Sequence, residues 1–296
     1  MNDERLVRGS CLCGDVRWRA SGKLSLMSHC HCSMCRKARA APFATYVAAR
    51  AGNFELTAGA ERIATYKSSE KVARRFCSRC GSVVPETPGE RHAFMPAFGL
   101  DDDPGARPLM HIFAASKAPW YAITDDLPQS AEYPDGWGSG GVERTPEPAS
   151  EPGWVRGSCL CGKVAYEIEH GGHSVNHCHC SRCRKARAAA HTTNLFLPAA
   201  RFRWIRGQDE RASFKVPDAE RFTHVFCASC GSGSAVARGE RAMVPAATLD
   251  GDPGIVEQRH IFVSSMPAWD TLPNDGWPRF AGSNLPPTPP TNEAPK

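Results

Sequence analysis

Cysteine is the residue with the most chemistry to offer in this chain, which holds 14 cysteines among 296 residues. The cysteines form three motifs, each present twice: a CxC pair, a CxCxxC triplet and a CxxC pair. In the first copy these are Cys11/Cys13, Cys30/Cys32/Cys35 and Cys77/Cys80; in the second they are Cys159/Cys161, Cys178/Cys180/Cys183 and Cys227/Cys230. Closely spaced thiolates can converge on one Zn²⁺, and four of them complete a tetrahedral site. We therefore interpret these cysteines as metal ligands.

The two flanking pairs of each copy would together close a structural zinc site, because each supplies two thiolates. A glycine follows the second cysteine of each pair, as in Cys13-Gly14 and Cys80-Gly81, and glycine permits the tight backbone that aims N–H groups at sulfur. The triplet then remains with three ligands. Three protein ligands and one open position are typical of a catalytic zinc. A zinc with three thiolates is net anionic and well suited to taking a thiolate as fourth ligand, which indicates a thiol substrate.

Other interpretations of the cysteines stay open at this point. A disulfide framework is disfavoured by the odd number of seven per copy and by the N-terminal MNDERLVRGS, which lacks the apolar stretch of a secretory signal. A redox CxxC pair would need a βαβ setting that neither copy shows. All seven cysteines could instead form one structural binuclear cluster, or His29 or His31 could close the second site as a fourth ligand.

Composition narrows the class of protein. The formal charge of +5 is mild, and no strand pattern alternates aromatic and basic residues, so nucleic acid is not an expected partner. No run of 18 apolar residues occurs, so no membrane-spanning helix is expected. Clustered cysteines that escape oxidation are typical of a reducing compartment, and we expect a cytoplasmic protein.

The sequence contains a long internal repeat, which predicts two domains of one fold. SHCHCSMCRKARAA at 28–41 returns as NHCHCSRCRKARAA at 176–189, with 12 of 14 residues identical. GSCLCGDV, FCSRCGS, HIF and PDGW also return, the last as NDGW. We expect a first domain at 5–137, a linker rich in Gly, Pro, Ser and Glu at 138–153, a second domain at 154–278 and a disordered Pro-rich tail at 281–296. The two domains could mimic a homodimer.

The elements that must position the cysteines are predicted to be mainly β. Short β-branched or aromatic runs such as FATYVAA, HIFAAS and TNLFLPA lie between Gly, Pro and Asp. The best helix candidate is SMCRKARAA and its copy, where the last cysteine of the triplet and its neighbours could start a turn or a short helix. Its basic residues suggest either a solvated face or a clamp for ligand carboxylates; they are Arg36, Lys37 and Arg39, with Arg184, Lys185 and Arg187.

Taken together, G-S-C-x-C-G, H-C-H-C-S-x-C-R-K, F-C-x-x-C-G-S, H-I-F and K-A-P-W-x-x-I-x-D-D-L-P-Q resemble the glutathione-dependent formaldehyde-activating enzymes, whose superfamily includes the CENP-V proteins. The resemblance implies two tandem β-tent (Mss4-like) zinc-binding domains. It implies structural zinc on the CxC and CxxC pairs and catalytic zinc on the triplets. That is two zinc ions per domain and four per chain.

The resemblance also implies a carbon–sulfur lyase that condenses glutathione, or another small thiol, with formaldehyde or another aldehyde. His29 and His31, or His177 and His179, would relay a proton. A carrier that binds zinc and glutathione without catalysis, and a module that binds nucleic acid or protein, are the competing interpretations. Ala40 and Ala188 stand where many relatives have glycine. The second copy lacks the segment around Lys117, Trp120 and Asp125/Asp126, which makes it the poorer enzyme candidate; these residues are otherwise expected to serve packing and turns.

Overall fold

The computed structural model describes residues 5–70, 72–137 and 144–283. We call residues 5–137 the first half and residues 144–283 the second half. In this described part of the chain, neither α-helix approaches the length or apolar character that crossing a bilayer requires.

In its described residues, the first half has nine short strands and one α-helix. One strand and the helix hold the triplet: β3 ends at Cys30, and α1 begins at Ser33. The strands are β1 (Leu6–Ser10), β2 (Arg17–Ser21), β3 (Ser25–Cys30), β4 (Ala44–Arg50), β5 (Phe54–Ala58), β6 (Ile63–Lys67), β7 (Ala73–Cys77), β8 (His92–Pro96) and β9 (His111–Ile112), and the helix is α1 (Ser33–Arg39).

The second half repeats this order and adds one strand. Its elements are β10 (Trp154–Ser158), β11 (Ala165–Glu169), β12 (His173–Cys178), α2 (Ser181–Arg187), β13 (Thr192–Pro198), β14 (Phe202–Arg206), β15 (Arg211–Lys215), β16 (Thr223–Cys227), β17 (Val236–Arg238), β18 (Arg241–Pro245) and β19 (Ile255–Ile261). The described chain is therefore mainly β, as the sequence predicts, and the short helix expected at the last cysteine of each triplet is present.

Each half is built from three small sheets. The first half has the strand orders β1-β2-β5, β8-β4-β3-β9 and β6-β7, and the second has β10-β11-β14, β17-β18-β13-β12-β19 and β15-β16. All pairings are antiparallel except β3 with β9 and β12 with β19. HIFAAS is a strand only at its first two residues, because Phe113 adopts a left-handed conformation (φ 56°) and a 3-10 turn follows.

The two halves pack against each other through their helices. Lys37 of α1 donates from Nζ to the carbonyl oxygens of Ser158 (3.2 Å) and Thr248 (2.8 Å) in the second half and pairs with Asp250 (2.9 Å). Lys185 of α2 makes the reciprocal contacts in the first half, at Ser10, Gly99 and Asp101. The two lysines thus join the halves, and neither a solvated face nor a carboxylate clamp describes Lys37, which is 2% exposed.

Each half also contributes a tryptophan to the core of the other. Trp120, with Ala118, lies in the apolar cluster of the second half, while Trp269 packs on the core of the first half, 4.8 Å from the ring of Phe98. The reciprocal exchange gives the chain the pseudo-symmetric arrangement of a homodimer. It also shows that the second copy retains a counterpart of the KAPW segment.

The segment expected to be a linker is held in place where the structure describes it. Residues 138–143 lie outside the described residues; in residues 144–153 there is no helix or strand. Arg144 donates its backbone N–H to Ser33 Oγ (3.2 Å), and Glu147 pairs with Arg206 (2.6 Å). In the predicted tail, Ala281 and Gly282 accept backbone hydrogen bonds from Ser264 and Phe262, and residues 284–296 lie outside the described part.

Candidate functional site

The flanking cysteine pairs meet in two four-cysteine clusters. In each, all four Sγ atoms lie within 4.8 Å of one another, and the members are Cys11, Cys13, Cys77 and Cys80, then Cys159, Cys161, Cys227 and Cys230. The CxC and CxxC pairs of each cluster are more than 60 residues apart in sequence. The strands β7 and β16 end at the first cysteine of the CxxC pair and so hold that pair beside the CxC pair. Four converging thiolates are a donor set that fits zinc.

Tight loops aim backbone N–H groups at these sulfurs. Val16 donates its N–H to Cys11 Sγ (3.4 Å), and Val164 does so to Cys159 Sγ (3.3 Å). Gly81, after the second cysteine of its pair, has a left-handed φ of 74°. A Cβ at this position would also lie 2.4 Å from the ring of Phe226 in the second half, so glycine is needed here for both conformation and space.

The triplets form two further clusters within the same 4.8 Å limit: Cys30, Cys32 and Cys35, then Cys178, Cys180 and Cys183. The helix brings the third cysteine back, because Cys32 is the N-cap of α1 and its Sγ accepts the N–H of Cys35 (3.3 Å). Among the described residues, no histidine belongs to either three-cysteine group. The donor set therefore fits a metal with three thiolate ligands and room for another.

Crowded thiols perturb one another in the triplet of the first half. Hydrogen bonds from Cys30 and Cys32 lower the pKa of Cys35 well below its ordinary value, and the charge of Arg74 lowers it further. Hydrogen bonds from Cys32 and Cys35, together with burial, raise the pKa of Cys30 well above its ordinary value. Three adjacent sulfurs cannot all carry negative charge unless a cation balances them. The crowding of the thiols is therefore what a metal site would require.

The first-half triplet lies in the wall of a cavity of about 610 Å³. All three cysteines line it, and their residues are buried. Trp137 and Tyr133, which are 38% and 40% exposed, stand at its edge. A cavity of this size falls in the range of small-molecule sites, so a ligand at the open side of the triplet would be enclosed by this cavity.

Arg74 and Tyr46 contact the triplet directly. The Arg74 guanidinium donates to Cys35 Sγ (3.4 Å) and to Tyr46 Oη (3.0 Å), and the Tyr46 hydroxyl lies 3.9 Å from the same sulfur. Burial raises the pKa of Tyr46, so its hydroxyl keeps its proton. Both residues were missed from the sequence. The divergence of the two copies at these positions is the signal that could have found them.

The second half differs at both positions. Asn194 stands where the strand register places Tyr46, and His224 stands in place of Arg74. His224 donates from Nδ1 to the carbonyl oxygen of Cys80 in the first half (2.8 Å), and burial lowers its pKa to about 3. Its side chain therefore supplies no cation to the second triplet.

The histidines of the motifs form buried chains in the sheet. His31 Nε2 lies 2.8 Å from His111 Nδ1, and His111 Nε2 lies 2.9 Å from Asp125. The second half has the same chain with His179, His260 and Asp275. Asp275 of NDGW thus corresponds to Asp125, not to PDGW as the sequence suggests. None of these histidines, nor His29 or His177, lines the cavity.

The alanines that replace the expected glycine end the helices. Ala40 (φ 47°) and Ala188 (φ 48°) are the C-caps of α1 and α2 and adopt the left-handed conformation. The local turn expected of glycine is therefore made by alanine, and the carbonyl of Ala188 accepts a hydrogen bond from Arg39 Nη1 (2.9 Å).

The chain is similar to a crystal structure of a Rhodobacter sphaeroides protein from a structural genomics programme, with 23% identity over 42% of this chain and 98% of the other, at a TM-score of 0.28. No curated protein matches the chain. The model of the family described as glutathione-dependent formaldehyde-activating enzyme matches residues 6–116 and 154–265. The chain therefore belongs to the glutathione-dependent formaldehyde-activating enzyme family, with two copies of its domain.

Proposed function

We propose that this chain is a zinc-dependent enzyme of the carbon–sulfur lyase type, and that it joins a small thiol, such as glutathione, to an aldehyde, such as formaldehyde. The observation that carries the proposal is the first-half triplet: three convergent cysteine sulfurs open onto a cavity that can enclose both reactants. The family match supports the same chemistry.

The residues that would hold zinc are the four clusters described above, which gives four ions per chain. When bound at the first triplet, zinc would favour the thiolate form of an incoming thiol. Closed sites with four thiolates would stabilise the fold instead. The two roles follow from the number of protein ligands in each cluster.

The other groups at the first triplet fit the needs of the reaction. The sulfur attacks the carbonyl carbon, the carbonyl electron pair moves to oxygen, and that oxygen takes up the proton that the thiol releases. The Tyr46 hydroxyl, which keeps its proton, is placed to donate a hydrogen bond to that oxygen. Arg74 neutralises charge at Cys35 and so favours an anionic sulfur nearby. Holding both reactants in one cavity adds the gain of proximity.

We assign this activity to the first half. The second triplet lacks a tyrosine and an arginine at the corresponding positions, and Cys180 and Cys183 are half-buried instead of buried. The second half would serve chiefly as the partner that completes the core and the helix contacts of the first.

A pair of matched variants tests the proposal. Cys35→Ser in the first half and Cys183→Ser in the second are compared by native mass spectrometry and by the rate of thiol–aldehyde product formation. We expect four zinc ions in the parent chain, one fewer in each variant, and loss of the rate enhancement only in Cys35→Ser.

Two outcomes would contradict this scheme. A parent chain that binds glutathione but leaves the rate equal to that in buffer would be a thiol carrier, since hemithioacetals also form unaided. Full activity and four zinc ions in Cys35→Ser would remove the triplet from the function altogether.

A further inference from the structure

The lining of the first-half cavity exposes more apolar than polar surface, although Ser28, Ser68 and Ser69 also line it. Aromatic and aliphatic side chains line it from α1, β8, β9, the residue before β7 and the segment after β9: Met34, Val72, Phe94, Ile112, Phe113 and Trp137. The rings of Phe113 and Tyr133 pack edge to face, with their centroids 4.7 Å apart. Such a lining favours an apolar ligand and penalises the burial of unpaired charge.

The charged residues of the cavity also favour an apolar ligand. Among the described residues that line it, Arg74 is the sole cation, and its guanidinium is already engaged by Cys35 and Tyr46. Two carboxylates, Glu70 and Glu86, also line the cavity. Burial raises the pKa of Glu86. The described lining therefore offers no second cation for a ligand with two carboxylates.

Glutathione is such a ligand, because it carries two carboxylates and one ammonium group besides its thiol. Its thiol could reach the triplet only if these charges were desolvated among aromatic rings or left outside the cavity. A thiol with a ring-sized apolar substituent would instead fill the cavity and lose no hydration of charge.

From this lining we propose that the first-half site selects a thiol with an apolar, ring-sized substituent in preference to the charged tripeptide thiol. The inference rests on the proposed function, since it assumes that a thiol reaches the triplet. It goes beyond the family description by naming a different chemical class for that thiol.

Binding to the zinc-loaded full chain tests this, with isothermal titration calorimetry as the readout. Benzyl mercaptan is the apolar probe and glutathione the charged one. We expect benzyl mercaptan to bind at least tenfold more tightly. Val72→Glu places a carboxylate in the cavity wall and should remove most of that preference. Val256→Glu is the matched control, because Val256 is 74% exposed on β19 and lies outside the cavity.

Each outcome decides a different point. Equal or tighter binding of glutathione would overturn the inference and leave thiol binding at the triplet intact. A preference that survives in Val72→Glu, or that persists in Cys35→Ser, would place the apolar thiol elsewhere and also overturn it. Failure of both thiols to bind would overturn the proposed function together with the inference.

Discussion

Lys37 provides the sharpest test of how the halves are joined. Its ammonium group lies among Ser158, Thr248 and Asp250 of the second half, and the side chains of Lys37 and Asp250 are 2% and 7% exposed. The reciprocal Lys185–Asp101 pair has side chains that are 18% and 40% exposed. The two lysines thus make the same kind of contact at different depths.

The depth sets the expected cost of removing each lysine. Lys37→Ala leaves a buried carboxylate and two buried carbonyls without their partner, which should cost about 3–5 kcal/mol of unfolding free energy. Lys185→Ala leaves a carboxylate, Asp101, that water can reach, and we expect about 1–2 kcal/mol. At a urea m-value of about 3 kcal/mol per M, Lys37→Ala should lower the midpoint by more than about 1 M.

Removing both partners should cost less than removing the lysine alone. Burial lowers the pKa of Lys37 to about 8 even though Asp250 opposes the shift, so desolvation outweighs the attraction between the two. A Lys37→Met/Asp250→Leu chain loses both charges together and should therefore be more stable than Lys37→Ala.

The assay is urea unfolding followed by tryptophan fluorescence and by circular dichroism, with zinc content measured for each variant. Since each half holds a tryptophan of the other, we expect one coincident transition by both probes. Equal costs for Lys37→Ala and Lys185→Ala at unchanged zinc content would refute the argument from burial. So would a double variant less stable than Lys37→Ala.

Three further changes have definite expected results. Arg74→Met should weaken thiol binding to the zinc-loaded chain by about tenfold, since a charge-assisted hydrogen bond at Cys35 is lost; unchanged affinity in a thiol titration would count against its role. Gly81→Ala should cost at least about 2 kcal/mol of stability in urea unfolding, because φ is 74° and a Cβ would lie 2.4 Å from Phe226; a near-neutral result would mean that Phe226 moves freely. Burial raises the pKa of Asp270 to about 6, so the folded protein binds a proton at Asp270 more tightly than the unfolded chain does. The stability that protonated Asp270 contributes is therefore fully present below about pH 4 and is lost as the pH rises through 6. Asp270→Asn should therefore gain about 1–2 kcal/mol over the parent at pH 7 and nothing at pH 4, and a gain independent of pH in thermal unfolding would contradict this assignment.

Much of the metal chemistry could be predicted from the sequence alone. The repeat, the short helix at the end of each triplet and the mainly β character are all local properties, set by residue spacing and by propensity within a few positions. The grouping of cysteines into four and three followed from counting ligands, and the structure brings the same residues together. Spacing within a motif limits which thiols can converge, so such a site can be predicted before the fold is known.

The tertiary structure alone decided which triplet has an arginine and a tyrosine beside it and how the two copies contact each other. Arg74 and Tyr46 reach Cys35 from β7 and β4, and Lys37 reaches carbonyls that lie 121 and 211 residues away in the chain. No local pattern encodes such contacts, because they depend on how separately formed sheets pack. In the sequence, a basic run on a short helix suggests a solvated face or a clamp for carboxylates, whereas packing of the halves buries Lys37 and makes it one of the contacts that join them.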